Sequence, residues 1–449
     1  MAAPMIDASP TKEFFIKIIT KDISLLDAIK DLVDNCVDGA RSLRGNGDFE
    51  DLFVHIEVKR DSFLIVDNCG GISVDIATNY AFRFGRAKGA PSVSGSIGQF
   101  GVGMKRALFK MGKKFEVKSI AADSRFVLQA DVDNWTALVD EHGRERWEFE
   151  FAEVSEGEAN SQDVRSTTLQ VTELYQPVAD EFGTDIFVQH LVAGLQQAHA
   201  HSLDRGLDIK VNNFELRHRV ATLLQSDVIK PIKLEKSHRI DDGSTSSVVK
   251  LTIYAGISDS NLKDAGWYII CNGREVLGAD KTSLTGWETK LAGSQGQATP
   301  GAHGQFSRFR GYAVFESDDA KALPWNTSKS GVDAESKVYQ VARLEMVNAL
   351  RQVVDFLNEL DAERDSESSD LRERVNAASP VPLSHIAASA SFIAPSRTAI
   401  ASKRPTEVRV QFNRAIEDVD FAKKYFDVPS ATKAGEAVFG YFLEREREE

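Results

Sequence analysis

The sequence predicts an α+β fold, and three observations carry that expectation. Residues 25–44 show helical spacing of apolar positions, the runs 54–58 and 63–66 are strand-like, and a glycine-rich turn at 98–103 leads through a short helical run into further strand-like segments. A sheet with helices on one face is the simplest arrangement for residues 1–178. A chain of 449 residues, 42% of them hydrophobic, is long enough for two or three domains with cores of their own.

Charge and cysteine usage narrow the class. A formal charge of -13 argues against wholesale binding to nucleic acid or an anionic membrane, while leaving room for a local basic patch. The three cysteines, Cys36, Cys69 and Cys271, are too few and too scattered for a disulfide framework or a thiolate metal site, which points to the reducing cytoplasm. No apolar run approaches the roughly 20 residues that a membrane span needs.

Taken in order, residues 14–19 (Phe-Phe-Ile-Lys-Ile-Ile) are β-prone, and Asp22 or Ser24 caps the helix expected over 25–44. On that helix Asp31, Asn35 and Asp38 fall at i, i+4 and i+7 and share one face, while Leu32, Val33, Cys36 and Ala40 point to a core. The stripe is either a solvated face or a ligand site, and an amide oxygen among carboxylates suits Mg²⁺, which takes hard oxygen ligands and shares them with phosphates. Two strands joined by a tight turn at 59–62 then end in Asp67-Asn68-Cys69-Gly70-Gly71. A carboxylate at a strand end beside glycines can accept a hydrogen bond from the exocyclic amine of adenine while the backbone lies close to the base. The plainer alternative is an Asp-Asn turn closing a hairpin.

Residues 73–96, rich in Gly, Ser and Ala with the cations Arg83, Arg86 and Lys88, read either as a lid hinged on its glycines or as a long surface loop. The run Gly98-Gln99-Phe100-Gly101-Val102-Gly103 places bare amides at the N-terminus of a helix ending near Met111, which makes an anion site or a purely structural turn. Strands are expected at 114–120, 125–131, 147–151 and 167–174.

A second unit is expected over 179–365, with a helix at 186–202, strands at 207–211, 248–254 and 266–271, and Asn272-Gly273 as a two-residue hairpin turn into 274–277. The cations Arg217, His218, Arg219, Lys230, Lys233 and Lys236 form a polyanion contact or a scattered solvated surface, and 293–304 reads as a mobile loop. A long helix follows over 334–364. Residues 366–405, charge-dense and then rich in Pro, Ser and Ala, read as a linker. The segment 406–449 opens with strict alternation over 407–413 and continues with two helical patterns, a strand-helix-helix module. It resembles ribbon-helix-helix proteins in composition, so it docks on the chain's own sheet, dimerises, or binds DNA through Arg409, Gln411 and Asn413.

The three motifs, in this order, resemble the GHKL ATPase superfamily, which includes the gyrase B subunit, the ninety-kilodalton heat-shock chaperone, MutL and the MORC proteins. Residues 31–38 are similar to its Glu-x-x-x-Asn-x-x-Asp helix, 67–71 to its Asp-x-Gly-x-Gly and 98–103 to its Gly-x-x-Gly-x-Gly. The run from Ile97 is similar to the chaperone branch, and Phe82-x-Phe84-Gly85-x-x-Lys88 to the MORC branch. The resemblance implies a Bergerat α/β sandwich over 1–178, then a ribosomal-protein-like β-α-β transducer. It further implies ATP as ligand, Mg²⁺ on Asn35, the adenine amine on Asp67, and phosphates held by Gly98, Gln99, Phe100, Gly101, Val102 and Gly103. Asp38, Gly71, Lys88 and Thr167 complete the implied nucleotide set, with Asp31 as water-activating base and Lys329, in Asn326-Thr327-Ser328-Lys329, as the transducer lysine at the γ-phosphate. By its surroundings alone, Lys329 is equally a solvated lysine in a polar turn.

Two departures stand out. Asp31 replaces a glutamate and is one methylene shorter, and Cys69 replaces the first glycine of the second motif. The expected activity is Mg²⁺-dependent ATP hydrolysis driving lid closure and homodimerisation or conformational switching. The alternative is an ATP-gated interaction or DNA-binding regulator with little hydrolysis, acting on a protein or DNA client and not on a membrane.

Overall fold

Thr11 opens the first helix, α1 (Lys12–Lys21), by accepting from the Phe14 amide at 3.3 Å. The strand expected here is therefore a helix. Phe14 and Ile18 face solvent, while Phe15 meets the rings of Phe84 and Trp147 at 4.9 and 5.5 Å, so packing at helical spacing overrides the β-propensity of the run. This computed structural model describes all residues except 1–8, 46, 86–93, 99–100, 158–163, 218–219, 242–245, 290–298, 300, 302, 364–368, 396–409, 411–412 and 448–449. It divides into two units, Met1–Ser396 and Arg397–Glu449.

In the first unit Ser24 caps α2 (Leu25–Arg44), accepting from the Asp27 amide at 3.0 Å. Then come the hairpin β1 (Phe53–Val58) and β2 (Ser62–Asp67), a short α3 (Val74–Ile76) running into a π-turn, and α4 (Gly103–Met111). Strands β3 (Gly112–Ile120) and β4 (Ser124–Asp131), α5 (Val132–Ala137), β5 (Phe151–Glu156) and β6 (Ser166–Leu174) follow. The strand expected at 147–151 starts later, because Trp147 and Phe149 turn inward against Trp135, with Phe149 stacked on it at 5.0 Å. Helices α6 (Gln176–Phe182), α7 (Asp185–Ala198) and α8 (Ala200–Asp204) lead to β7 (Asp208–Val211) and β8 (Phe214–Glu215).

These strands make one eight-stranded sheet in the order β5-β4-β3-β6-β2-β1-β7-β8. All pairs are antiparallel except β1 with β7. The strand expected at 207–211 within the second unit thus extends the first sheet instead. Alternate residues of β1 and β2 (Val54, Ile56, Val58, Phe63, Ile65) are buried, which marks one covered face beneath the helices.

The next strands are β9 (Thr222–Gln225), β10 (Ile232–Asp241), β11 (Ser246–Ile257), β12 (Gly266–Cys271), β13 (Arg274–Asp280) and β14 (Phe309–Glu316). A five-stranded sheet runs β10-β11-β14-β12-β13, and α9 (Lys337–Ala362) lies on it through residues such as Tyr339, whose ring meets Phe315 at 6.4 Å. Asn272 and Gly273 both have positive φ, 46° and 73°, as a tight two-residue hairpin turn requires. Of the lysines in the basic cluster, Lys233 and Lys236 pair with Glu235 and Glu345; His218 and Arg219 lie outside the described residues.

The stretch expected as a linker is structured where it is described. It forms α10 (Asp370–Asn376) and β15 (Ser379–Pro382), which pairs with β9. Two prolines fit there because an edge strand leaves N–H groups unused, and beyond it Phe392 packs on Phe356 at 5.6 Å.

The second unit, taken alone, contains α11 (Ile416–Phe426) and α12 (Ala431–Arg447), joined through Asp427 in a left-handed conformation. The strand expected at 407–413 lies outside the described residues, except for Val410 and Asn413.

Candidate functional site

The site is built on α2. Its polar face carries Asp31, Asp34, Asn35 and Asp38, and the first two are buried although charged. Such groups need partners, and each has them. Asp31 Oδ2 accepts from Arg106 Nη2 of α4, and its Oδ1 accepts from Lys329 Nζ at 3.2 Å. Asp34 Oδ2 accepts from the same Lys329 Nζ at 2.8 Å, while its Oδ1 lies 3.1 Å from Arg274 Nε and 3.7 Å from His199 Nε2. Burial pushes the Asp34 carboxyl up, but Arg274 and Lys329 outweigh it and hold the group at about 2. Burial and the Arg274 charge lower His199 to about 3, so its imidazole is neutral. Lys329 is held above its usual value, because Asp34 and Asp31 outweigh the effect of burial.

Lys329 is therefore not a solvated turn residue. The turn at 326–331 that presents it is fixed by the Lys329 amide on Asn326 O at 3.0 Å and the Ser330 amide on Asn326 Oδ1 at 3.1 Å, with Lys329 itself at φ 52°. A non-glycine residue in that region stores strain, of the kind met at functional positions.

The other end of the site is a cavity lined by Leu32, Asn35, Cys36, Gly39, Ile65, Asp67, Cys69, Gly71, Ile72, Met104, Thr167 and Leu169. Asp67 ends β2 and stands directly across from Thr167 on β6. Its Oδ1 accepts from the Cys69 amide at 2.8 Å, its Oδ2 lies 3.4 Å from Cys36 Sγ, and burial raises it to about 6. Gly71, at φ 71°, packs so tightly that a Cβ would stand 2.1 Å from Ile120 O. The left-handed backbone falls on Gly70 and Gly71 and not on Cys69, which explains why cysteine is tolerated at the first position of Cys69-Gly70-Gly71.

Asp38 holds the glycine loop from below, its two oxygens accepting from the Ile97 and Gly98 amides at 2.7 and 2.8 Å. Burial raises its carboxyl nonetheless. Gly101 has φ 66°, Val102 is the N-cap of α4, and Gly103 lies against Asp31, where a Cβ would meet Oδ2 at 3.3 Å. Asn35 is exposed on the open side of α2. Lys88, Gln99 and Phe100 lie outside the described residues.

The five-stranded sheet reaches this region a second time. Arg41 donates to Gly95 O and to Asn272 O, each at 2.5 Å, and Asn272 Nδ2 donates to Ser96 O and Ser317 O, each at 3.0 Å. The end of the segment read as a lid is thus pinned between α2 and the β12–β13 turn.

Of the residues named from the sequence, the structure brings Asn35, Asp67, Gly71 and Thr167 to one cavity, and Lys329 and Gly103 to Asp31. Sequence reasoning misses Asp34, Arg106, Arg274, His199 and the Arg41–Asn272 contact. Asp34 was legible, since it follows Asp31 at i+3 on the same face; the others meet only through tertiary structure.

No group of three or more His, Cys, Asp or Glu side chains able to hold a metal ion occurs among the described residues. A Mg²⁺ ion would fit this donor set only as Mg²⁺ usually binds, on one protein oxygen plus substrate phosphates and water. No helix among the described residues is long and apolar enough to cross a membrane.

No curated protein matches the chain. Residues 23–171, which span α2 to β6 and hold every motif residue above except Lys329, match the family model described as "Histidine kinase-, DNA gyrase B-, and HSP90-like ATPase", so that segment is similar to GHKL-type ATPase domains.

Proposed function

We propose that the protein binds ATP in the cavity beneath Asp67 and hydrolyses it with Mg²⁺, using closure of the lid segment and the Lys329 contact to couple nucleotide to a conformational switch. The carrying observation is convergence: Asn35, Asp67, Gly71 and Thr167, drawn from three separate segments, line one cavity within the domain that matches the ATPase family. In this reading Asp67 accepts from the adenine amine, with Thr167 beside it. The amides from Gly98 to Gly103 and the N-terminus of α4 hold the phosphates, and Asn35 contributes the protein oxygen to Mg²⁺. When bound, the ion supplies neutralising charge to the β- and γ-phosphates.

Asp31 then takes the proton of the attacking water, with Lys329 adding positive charge beside it. Binding without turnover is a second reading, favoured by the two cations already on Asp31. Equilibrium ATP binding and single-turnover cleavage with Mg²⁺ separate these readings in the parent, Asn35→Ala and Asp67→Asn proteins. Binding and cleavage in the parent, both lost in the variants, support the enzyme. Binding without cleavage leaves an ATP-gated switch. Absence of binding overturns the nucleotide site.

A further inference from the structure

At the base of α2 the Asp31 carboxylate accepts from both Arg106 and Lys329, beside Gly103 at the N-terminus of the nine-residue helix α4. Arg106 is incompletely satisfied: its Nη2 donates to Asp31, whereas its Nε is buried with no acceptor among the described residues. A guanidinium presents several donors in one plane and so can serve a carboxylate and a phosphate together.

We propose that Arg106 is a catalytic residue of the hydrolysis, bridging Asp31 to the γ-phosphate of ATP. This rests on the ATPase reading. The water oxygen forms a bond to Pγ as the bond from Pγ to the β,γ-bridging oxygen breaks. The electron pair of that bond leaves on ADP, and the water proton goes to Asp31, which later releases it to solvent. Arg106 contributes charge to the equatorial phosphoryl oxygens, where negative charge is spread in the transition state, and through Nη2 it fixes the carboxylate that takes the proton. It thereby compensates for a base one methylene shorter than the family pattern, since a carboxylate held by a rigid fork has a defined position even on a short side chain.

The test uses the full chain with Mg²⁺. Affinity is measured by calorimetry with the non-hydrolysable analogue adenylyl imidodiphosphate, and cleavage by single-turnover release of γ-labelled phosphate. For Arg106→Ala the expected result is affinity within about 3-fold of the parent with cleavage slowed by at least about 100-fold. Millimolar guanidinium ion should restore part of that rate, and Arg106→Lys should fall between the two. Should the alanine variant not fold, the lysine variant decides: a slowed rate at parental affinity supports the role. Cleavage unchanged or faster in either folded variant, or a parent that binds without cleaving, overturns the catalytic role and leaves the nucleotide site standing. A parent that binds neither ATP nor the analogue overturns the site itself.

Discussion

Asp67→Asn should stabilise the protein while abolishing its ligand binding. Asp67 is 6% exposed, and burial lifts its carboxyl from 3.8 to about 6 even though the Cys69 amide and Cys36 thiol favour the charged form. That rise corresponds to about 3 kcal/mol. The sign follows from proton counts. Between pH 3.8 and about 6 the folded protein keeps a proton that the unfolded chain has released, so stability falls as pH rises through this window and stays lower above it. Asparagine never ionises and its Oδ1 still accepts from the Cys69 amide. Urea unfolding should therefore show the variant more stable than the parent by up to about 3 kcal/mol at pH 8, with the advantage vanishing near pH 4. ATP affinity should fall roughly 100-fold or more, because the amide cannot offer a carboxylate to the adenine amine. A stability difference that does not change between pH 4 and pH 8 would refute the reasoning, since the burial cost would then not belong to Asp67. A group kept charged at the expense of the fold is expected where the fold serves binding.

Gly71→Ala places a Cβ 2.1 Å from Ile120 O at φ 71°, so the melting temperature should drop by an amount equivalent to about 3 kcal/mol or more, whereas Cys69→Gly should stay within about 1 kcal/mol. Asp34→Ala leaves Arg274 and one contact of Lys329 without their carboxylate, and urea unfolding should register a loss of about 3–5 kcal/mol. With its folded value near 2 and its unfolded value near 3.8, Asp34 contributes stability that is fully present above pH 4 and is lost as pH falls through about 2; Asp34→Asn should flatten that part of the acid-unfolding curve. Asn272→Ala removes the contacts to Ser96 O, Ser317 O and the Ser317 amide, so the Ile97 and Gly98 amides should exchange faster with deuterium; unchanged exchange would mean that the turn does not hold the segment.

The periodic parts of the fold are legible in the sequence. Helix α2 has Ser24 to start it and a full apolar stripe, and the β12–β13 hairpin has Asn272-Gly273 between two apolar runs, so local chemistry and tertiary structure agree. The N-terminal run misleads because Phe, Ile and Lys at 14–19 suit a strand as well as a helix. The choice is made by Phe15 against Phe84 and Trp147, contacts more than sixty residues away. Residues 379–382 look like a linker because prolines break regular structure in general, yet they pair with β9 along an edge, where a missing N–H does no harm. At the site, glycine positions and the amide on α2 can be read as motifs. The ion pairs cannot, since Lys329 lies 298 residues from Asp31 and is marked only by the family resemblance, while nothing local joins Arg274 or His199 to Asp34.

The way the two sheets meet ties Asp31 to the end of the 73–96 segment. The five-stranded sheet and the 326–331 turn touch the 23–171 segment at Lys329 on Asp31 and Asp34, at Arg274 on Asp34, and at Asn272 on Arg41 and Ser96. Arg274 and Asn272 are two residues apart around one tight turn, and they bracket the polar face of α2 from Asp34 to Arg41. Any rotation of that turn must therefore strain the Asp34 ion pairs and the Ser96 contact at once. Asp34 shares Lys329 with Asp31, so the strain reaches the carboxylate proposed as base through a single ammonium group. A packed and charge-paired contact of this kind has discrete arrangements and few intermediate ones, and an anion added beside Arg106 would shift the balance among them.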